Sequence, residues 1–270
     1  KRALKAAGAS PAAFAFNATV EFFKARSIIG FCLKDKSLFG QTEWEAEVKR
    51  PIMKPNLTIG GAVGWTAIYF GVMLFYTFLN VAVWRKVFPG FSSWLNILTI
   101  AICVCGFLAL LKRAGHDIAL FANLTRLALA LGCSALFYLL LDKGLDPLFE
   151  KAFPSSEQAY QETVEGLTKA PVASFLQICV IAPVIEELLM RGFILNGLRT
   201  AYGTAVGLLV SSVLFALLHL NMVQTLSSLI CGVVLGLLYI KTGSVFCCII
   251  GHCGYNLLSY FSMIYPRISR

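Results

Sequence analysis

From residue 61 onward the chain is a succession of apolar runs, most of them close to the ~20 residues that carry an α-helix across a ~30 Å hydrocarbon core. Such runs leave little choice of fold. Inside a bilayer every backbone N–H and C=O needs a partner within the protein, and a single run meets that need only as a helix. Spans are expected at 61–83, 93–111, 117–141, 171–198, 203–220, 223–241 and 244–264. The fold class is therefore all-α, a polytopic transmembrane helix bundle of about seven spans. Composition agrees: 270 residues that are 58% hydrophobic and 14% charged lack the polar surface of a soluble domain. The last four spans are joined by short connections, so neighbours run antiparallel and form a C-terminal four-helix core over 171–264.

Two regions follow. Residues 1–59 form a polar N-terminal segment, with candidate interfacial helices such as 11–27, where Phe14, Phe16, Phe22 and Phe23 accompany Lys24 and Arg26. Residues 60–270 form the transmembrane domain. A net charge of +9 would suggest nucleic acid as a partner for a soluble chain. Here the basic residues sit in the N-terminal segment and at helix ends, where they match lipid headgroups and topology, so nucleic acid is excluded. The positive-inside rule puts the N-terminus in the cytoplasm or its organellar equivalent. The chain is thus expected to be a multi-pass integral protein of a bacterial inner membrane, a plastid or other organelle membrane, or the endoplasmic reticulum. Residues 1–20 suit an organellar transit region or a basic cytoplasmic tail equally. Eight of the nine cysteines fall in apolar runs with no zinc-type pairing, and read as small buried side chains.

Against this apolar background the polar residues stand out. Glu186, Glu187 and Arg191 fall within six residues of one span. Each costs about 2.5–3.5 kcal/mol at the bilayer centre, so a function is the first explanation. Glu187 and Arg191 are four apart and can pair on one helix face. Glu186 is five from Arg191 and points elsewhere, into the bundle. Pro183 lacks an N–H and frees a carbonyl one turn earlier, near Cys179. On the next span Ser212, Phe215 and His219 share a face; on the last, His252 and Asn256 do. His116 sits in a turn and reads as a surface residue. Arg126, inside the third span, reads as a snorkelling or packing residue. Residues 142–169 read as the longest polar connection, holding short amphipathic helices outside the bilayer. Ser228, Gly232 and Gly236, every four positions, read as a close-packing stripe.

Polar groups within a membrane need one another, so an acid, two imidazoles and a carboxamide from three neighbouring spans should converge on one chamber. Two chemistries suit it. A carboxylate can take a proton from water while histidine orients that water, and a second histidine and an amide donate to an oxyanion. Alternatively Glu186, His219 and His252 form a two-histidine, one-carboxylate zinc set, although HExxH spacing is absent. No cofactor is certain, and Zn²⁺ is the one candidate.

Three ordered motifs carry a family resemblance: Glu186-Glu187-Leu-Leu-Met-Arg191, Phe215-Ala-Leu-Leu-His219 and His252-Cys-Gly-Tyr-Asn256. Over about 171–260 the chain resembles the CAAX-protease and bacteriocin-processing (CPBP/Abi) family of intramembrane endopeptidases, which includes the type II CAAX prenyl endopeptidases. Met190 departs mildly from the pattern, standing where an aromatic residue is common. The resemblance implies hydrolysis of a peptide bond in a membrane-associated or lipidated protein. It implies Glu186 as general base, His219 in water activation, and His252 with Asn256 at the oxyanion. Glu187, Arg191 and Phe215 would support the site. The implied partners are a membrane-associated protein or peptide substrate, membrane lipids and a membrane-protein complex. The alternative is a non-catalytic family-like scaffold or assembly subunit that binds another membrane protein. A transporter fits less well, because no Gly/Pro-interrupted helix pair repeats in the two halves.

Overall fold

The structure, a computed structural model, describes residues 57–113 and 123–264. The expectations for residues 1–56, including helix 11–27, and for the His116 turn lie outside the described residues. Among those described, every regular element is helical. In chain order they are α1 (Ile59–Val87), α2 (Ser92–Arg113), α3 (Leu124–Ala152), α4 (Pro154–Thr168), α5 (Pro171–Tyr202), α6 (Thr204–Leu217), α7 (Met222–Thr242) and α8 (Val245–Met263). The chain is a polytopic helical bundle. Six helices, all but α4 and α6, are long and apolar enough to cross a membrane.

Two expectations need correction. The seventh span, expected over 203–220, is the 14-residue α6. At 1.5 Å per residue it reaches about 21 Å, short of a bilayer core. Gly203, with φ 88°, turns the chain sharply before it, and Asn221 caps α7 just after. The third span is also longer than expected. It runs to Ala152, so residues 142–152 are helix rather than connection; only α4 remains of the expected polar segment. Asp142 and Asp146 are accommodated because hydroxyls reach them from α7 and α8. At the other end Asn123 caps α3, its Oδ1 accepting from the Arg126 N–H at 2.9 Å. Arg126 therefore sits in the first helical turn, not in mid-span.

Helix α5 is the axis of the bundle. From Ile185 to Leu198 every residue is buried, whereas α1 and α2 present large apolar side chains such as Phe78 and Ile102 outward, as lipid-facing helices do. Without water to drive them together, intramembrane helices associate through close packing and hydrogen bonds. Both are present. A Cβ on Gly232 of α7 would lie 3.0 Å from the Ser212 Cα, so glycine there lets α6 and α7 touch backbone to backbone. This bears out the small-residue reading. Ser134 of α3 donates to the Gly251 carbonyl of α8 at 2.8 Å. Trp65 of α1 meets Phe193 of α5 edge-on at 5.4 Å, and Trp84 donates to Thr99 of α2 at 3.1 Å.

Candidate active site

The acid pair lies in α5 between two wide π turns, Gln177–Ile181 and Leu188–Leu195, a distortion that often marks functional positions. Glu187 and Arg191, expected to pair, do so: Nη1 lies 2.8 Å from Oε1, with both residues essentially fully buried. Arg191 Nη2 also donates to the Gly232 carbonyl at 3.2 Å, and its guanidinium covers the Phe215 ring at 4.7 Å. Desolvated cation–π contacts of this kind contribute about 2 kcal/mol. Glu187 has a further partner that helical spacing does not reveal. His252 Nδ1 lies 2.8 Å from the same Oε1.

Glu186 behaves differently. Only 8% of it is exposed, and among the described residues its polar contact is a longer one, without a hydrogen bond. Its nearest charged neighbour is His252 Nε2, 4.0 Å from Oε2. Hence His252 stands between the two acids, bonded to one and facing the other.

Hydrogen bonding settles how both imidazoles are turned. The His252 Nδ1 partner is the carboxylate that also faces Arg191, so Nδ1 carries a proton and donates. His219 Nδ1 lies 3.2 Å from the Phe215 carbonyl, which can only accept. In the neutral form each ring therefore presents Nε2 as an acceptor. His219 does not lie on α6, as expected from its spacing with Ser212 and Phe215, but in the turn after Leu217. Thr225 from the first turns of α7 holds its carbonyl at 2.6 Å. Phe215 packs edge-on against both rings, at 5.3 Å to His219 and 5.8 Å to His252.

Asn256 has a local task. The Gln177–Ile181 turn pairs the Ala182 N–H with the Gln177 carbonyl, five residues back. Continuing that pattern, Ile178 O would pair with residue 183, which is proline and has no N–H. Asn256 Nδ2 supplies the missing donor at 2.8 Å. The freed carbonyl lies one residue earlier than helical counting at Cys179 suggests, because the turn is π rather than α. One amide N–H of Asn256 is thus committed, and among the described residues the other has no partner.

Glu186, Phe215, His219, His252 and Asn256 line a single cavity of about 650 Å³. Glu187 and Arg191 sit behind it and fix its wall. As for Zn²⁺, no three His, Cys, Asp or Glu side chains among the described residues come together as a group that could hold a metal. The arrangement of Glu186, His219 and His252 does not fit the ion, and no step is derived through it.

Sequence reasoning missed the cavity's second polar region. Asp142 accepts from Tyr255 at 2.9 Å and from Ser259, and Asp146 accepts from Ser227. All five residues line the same cavity. The two acids are four apart, and that spacing was the available signal, hidden by reading 142–169 as a connection. Tyr160 of α4 closes this end. Burial, with Asp142 and Asp146 nearby, pushes its phenol well above the usual range, so it stays protonated and its O–H faces Met263 Sδ at 3.8 Å.

Residues 168–258, about a third of the chain, match the family model described as Type II CAAX prenyl endopeptidase Rce1-like. This stretch holds the whole constellation from Glu186 to Asn256. The segment carries an Rce1-like domain. Neither the curated proteins nor the solved structures gave a match. The Rce1-like domain runs from the end of α4 into α8, so α1, α2 and α3 lie outside it. Asp142 and Asp146 are therefore contributed from outside the matched stretch, as are Tyr69, Tyr76 and Ile100, onto the cavity that Glu186 and His252 line.

Proposed function

We propose that this multi-pass membrane protein is an intramembrane endopeptidase of the CAAX-protease type. It would hydrolyse a peptide bond of a membrane-associated or lipidated protein with a glutamate-activated water. One observation carries the reading: Glu186 is buried, faces the cavity, and has no hydrogen bond from the described residues. A carboxylate in such a setting is costly unless it has something to act on. The neighbouring imidazoles and amide are the donors and acceptors that acyl hydrolysis requires.

In the proposed reaction Glu186 takes a proton from water, which His219 Nε2 orients as acceptor. The water oxygen attacks the scissile carbonyl carbon, and the carbonyl oxygen becomes an oxyanion. The uncommitted Asn256 N–H donates to it. The proton held by Glu186 passes to His252 Nε2, and Glu187, bonded to Nδ1, stabilises the imidazolium so formed. His252 then donates to the oxyanion and delivers its proton to the leaving nitrogen as the C–N bond breaks. The acid and the imidazole end in their starting states. Arg191 holds Glu187 through the cycle and touches no reacting atom.

The experiment is substrate trapping. Full-length Glu186→Gln and wild-type protein are expressed in cells lacking the native chain, and co-purifying membrane proteins are identified by mass spectrometry. The expected result is an uncut protein retained by the variant, whose two fragments appear with wild type. A variant that restores every phenotype of the wild type would show a scaffold instead.

A further inference from the structure

We propose that Asp142 and Asp146 form a subsite for a cationic side chain, Lys or Arg, of the peptide segment bound in the cavity. The inference rests on the endopeptidase reading and names a substrate class for it. The two carboxylates stand four residues apart on α3, where like charges repel. Their partners, Tyr255, Ser259 and Ser227, are neutral hydroxyls. These orient the acids without bringing positive charge. Among the described residues neither acid has a Lys or Arg within ion-pair distance. Lys143 also borders the cavity, but its ammonium lies over the Tyr138 ring, 5.0 Å from the centroid. Two acids in a spanning helix without a counter-charge among the described residues are expensive, and a cation arriving with the substrate would complete them.

A second observation points to an occupant. Glu186, about nine-tenths buried, faces the same cavity with no hydrogen bond from the described residues, its nearest charged neighbour being His252 at 4.0 Å. One ligand can therefore meet both regions. Helix α8 measures the distance between them. Tyr255 and Ser259, which hold Asp142, each follow His252 and Asn256 by three residues. That is about 4.5 Å along the helix. Extended peptide advances about 3.3 Å per residue, so positions within two residues of the scissile bond are the ones to test. Both acids lie outside the stretch matched by the Rce1-like family model.

The test uses full-length protein in phosphatidylcholine vesicles, which carry no net charge. The probes are acylated fluorescent peptides that differ only by Lys or Gln at the two positions on either side of the central bond. Binding and cleavage are measured on each. Wild type should bind the Lys peptide about tenfold more tightly than the Gln peptide. Asp142→Asn/Asp146→Asn should bring the Lys peptide down to the Gln level, while Asp146→Glu, which keeps the charge, should retain the preference. Equal affinity of wild type for both peptides, including no binding of either, overturns the subsite, and needs no variant to fold. A preference that survives the double substitution overturns it too. Selective binding without cleavage upholds the subsite and removes the protease reading; cleavage without selectivity does the reverse.

Discussion

A single oxygen, Glu187 Oε1, takes both the Arg191 guanidinium and the His252 ring nitrogen, each at 2.8 Å. One atom thus links α5 to α8. The imidazole that faces Glu186 is held at its far side by an acid already balanced by arginine.

Breaking that junction should cost stability before it costs chemistry. Arg191→Ala leaves Glu187 buried without its main counter-charge, a loss of about 3–5 kcal/mol. Adding Glu187→Gln to Arg191→Met should recover much of the stability without recovering activity. Unfolding in detergent, followed together with peptide cleavage, checks both halves.

Glu186→Gln should behave in the opposite way. The side chain has no hydrogen bond to lose among the described residues, so the melting temperature should change little. Cleavage should fall at least ~10²–10⁴-fold, the usual contribution of a general base. Comparable unfolding of this variant would move Glu186 from chemistry to architecture.

The proline–asparagine pair offers a cycle. Asn256→Ala strands the Ile178 carbonyl and should cost about 1–3 kcal/mol. Pro183→Ala restores a backbone N–H near that carbonyl. The double variant should therefore be more stable than Asn256→Ala alone, yet no more active. Additive losses in thermal melts would disprove the coupling.

Gly232→Ala inserts a methyl group 3.0 Å from the Ser212 backbone, which cannot swing aside. The expected penalty is about 1–3 kcal/mol. Because the Gly232 carbonyl also accepts from Arg191, kcat should drop with stability. Gly166→Ala, where nothing lies within 4 Å of the added atom, is the control and should be neutral.

Much of the bundle was legible because a bilayer forbids most alternatives. Apolar length gave the spans, and four-residue spacing gave Glu187–Arg191. Contacts between helices were not legible. The His252–Glu187 bond joins positions 65 apart, and no periodicity encodes it. Asp142 and Asp146 looked like a polar connection because hydropathy weighs a carboxylate without knowing that Tyr255, Ser259 and Ser227 await it. The π turn before Pro183 moved the freed carbonyl by one residue, a shift that α-helical counting cannot anticipate. The length of α6 failed for a related reason: residues 218–220 are apolar enough to extend a helix, yet the chain turns there to present His219.

That short helix has an effect on the lipid around it. α6 has about 9 Å less reach than a hydrocarbon core is thick, and a lipid-facing helix that short is met by local thinning of the bilayer. The aqueous boundary is drawn inward on that flank, toward the turn that bears His219. If the proposed hydrolysis holds, a membrane thinned beside α6 would shorten the route of water from bulk solvent to Glu186.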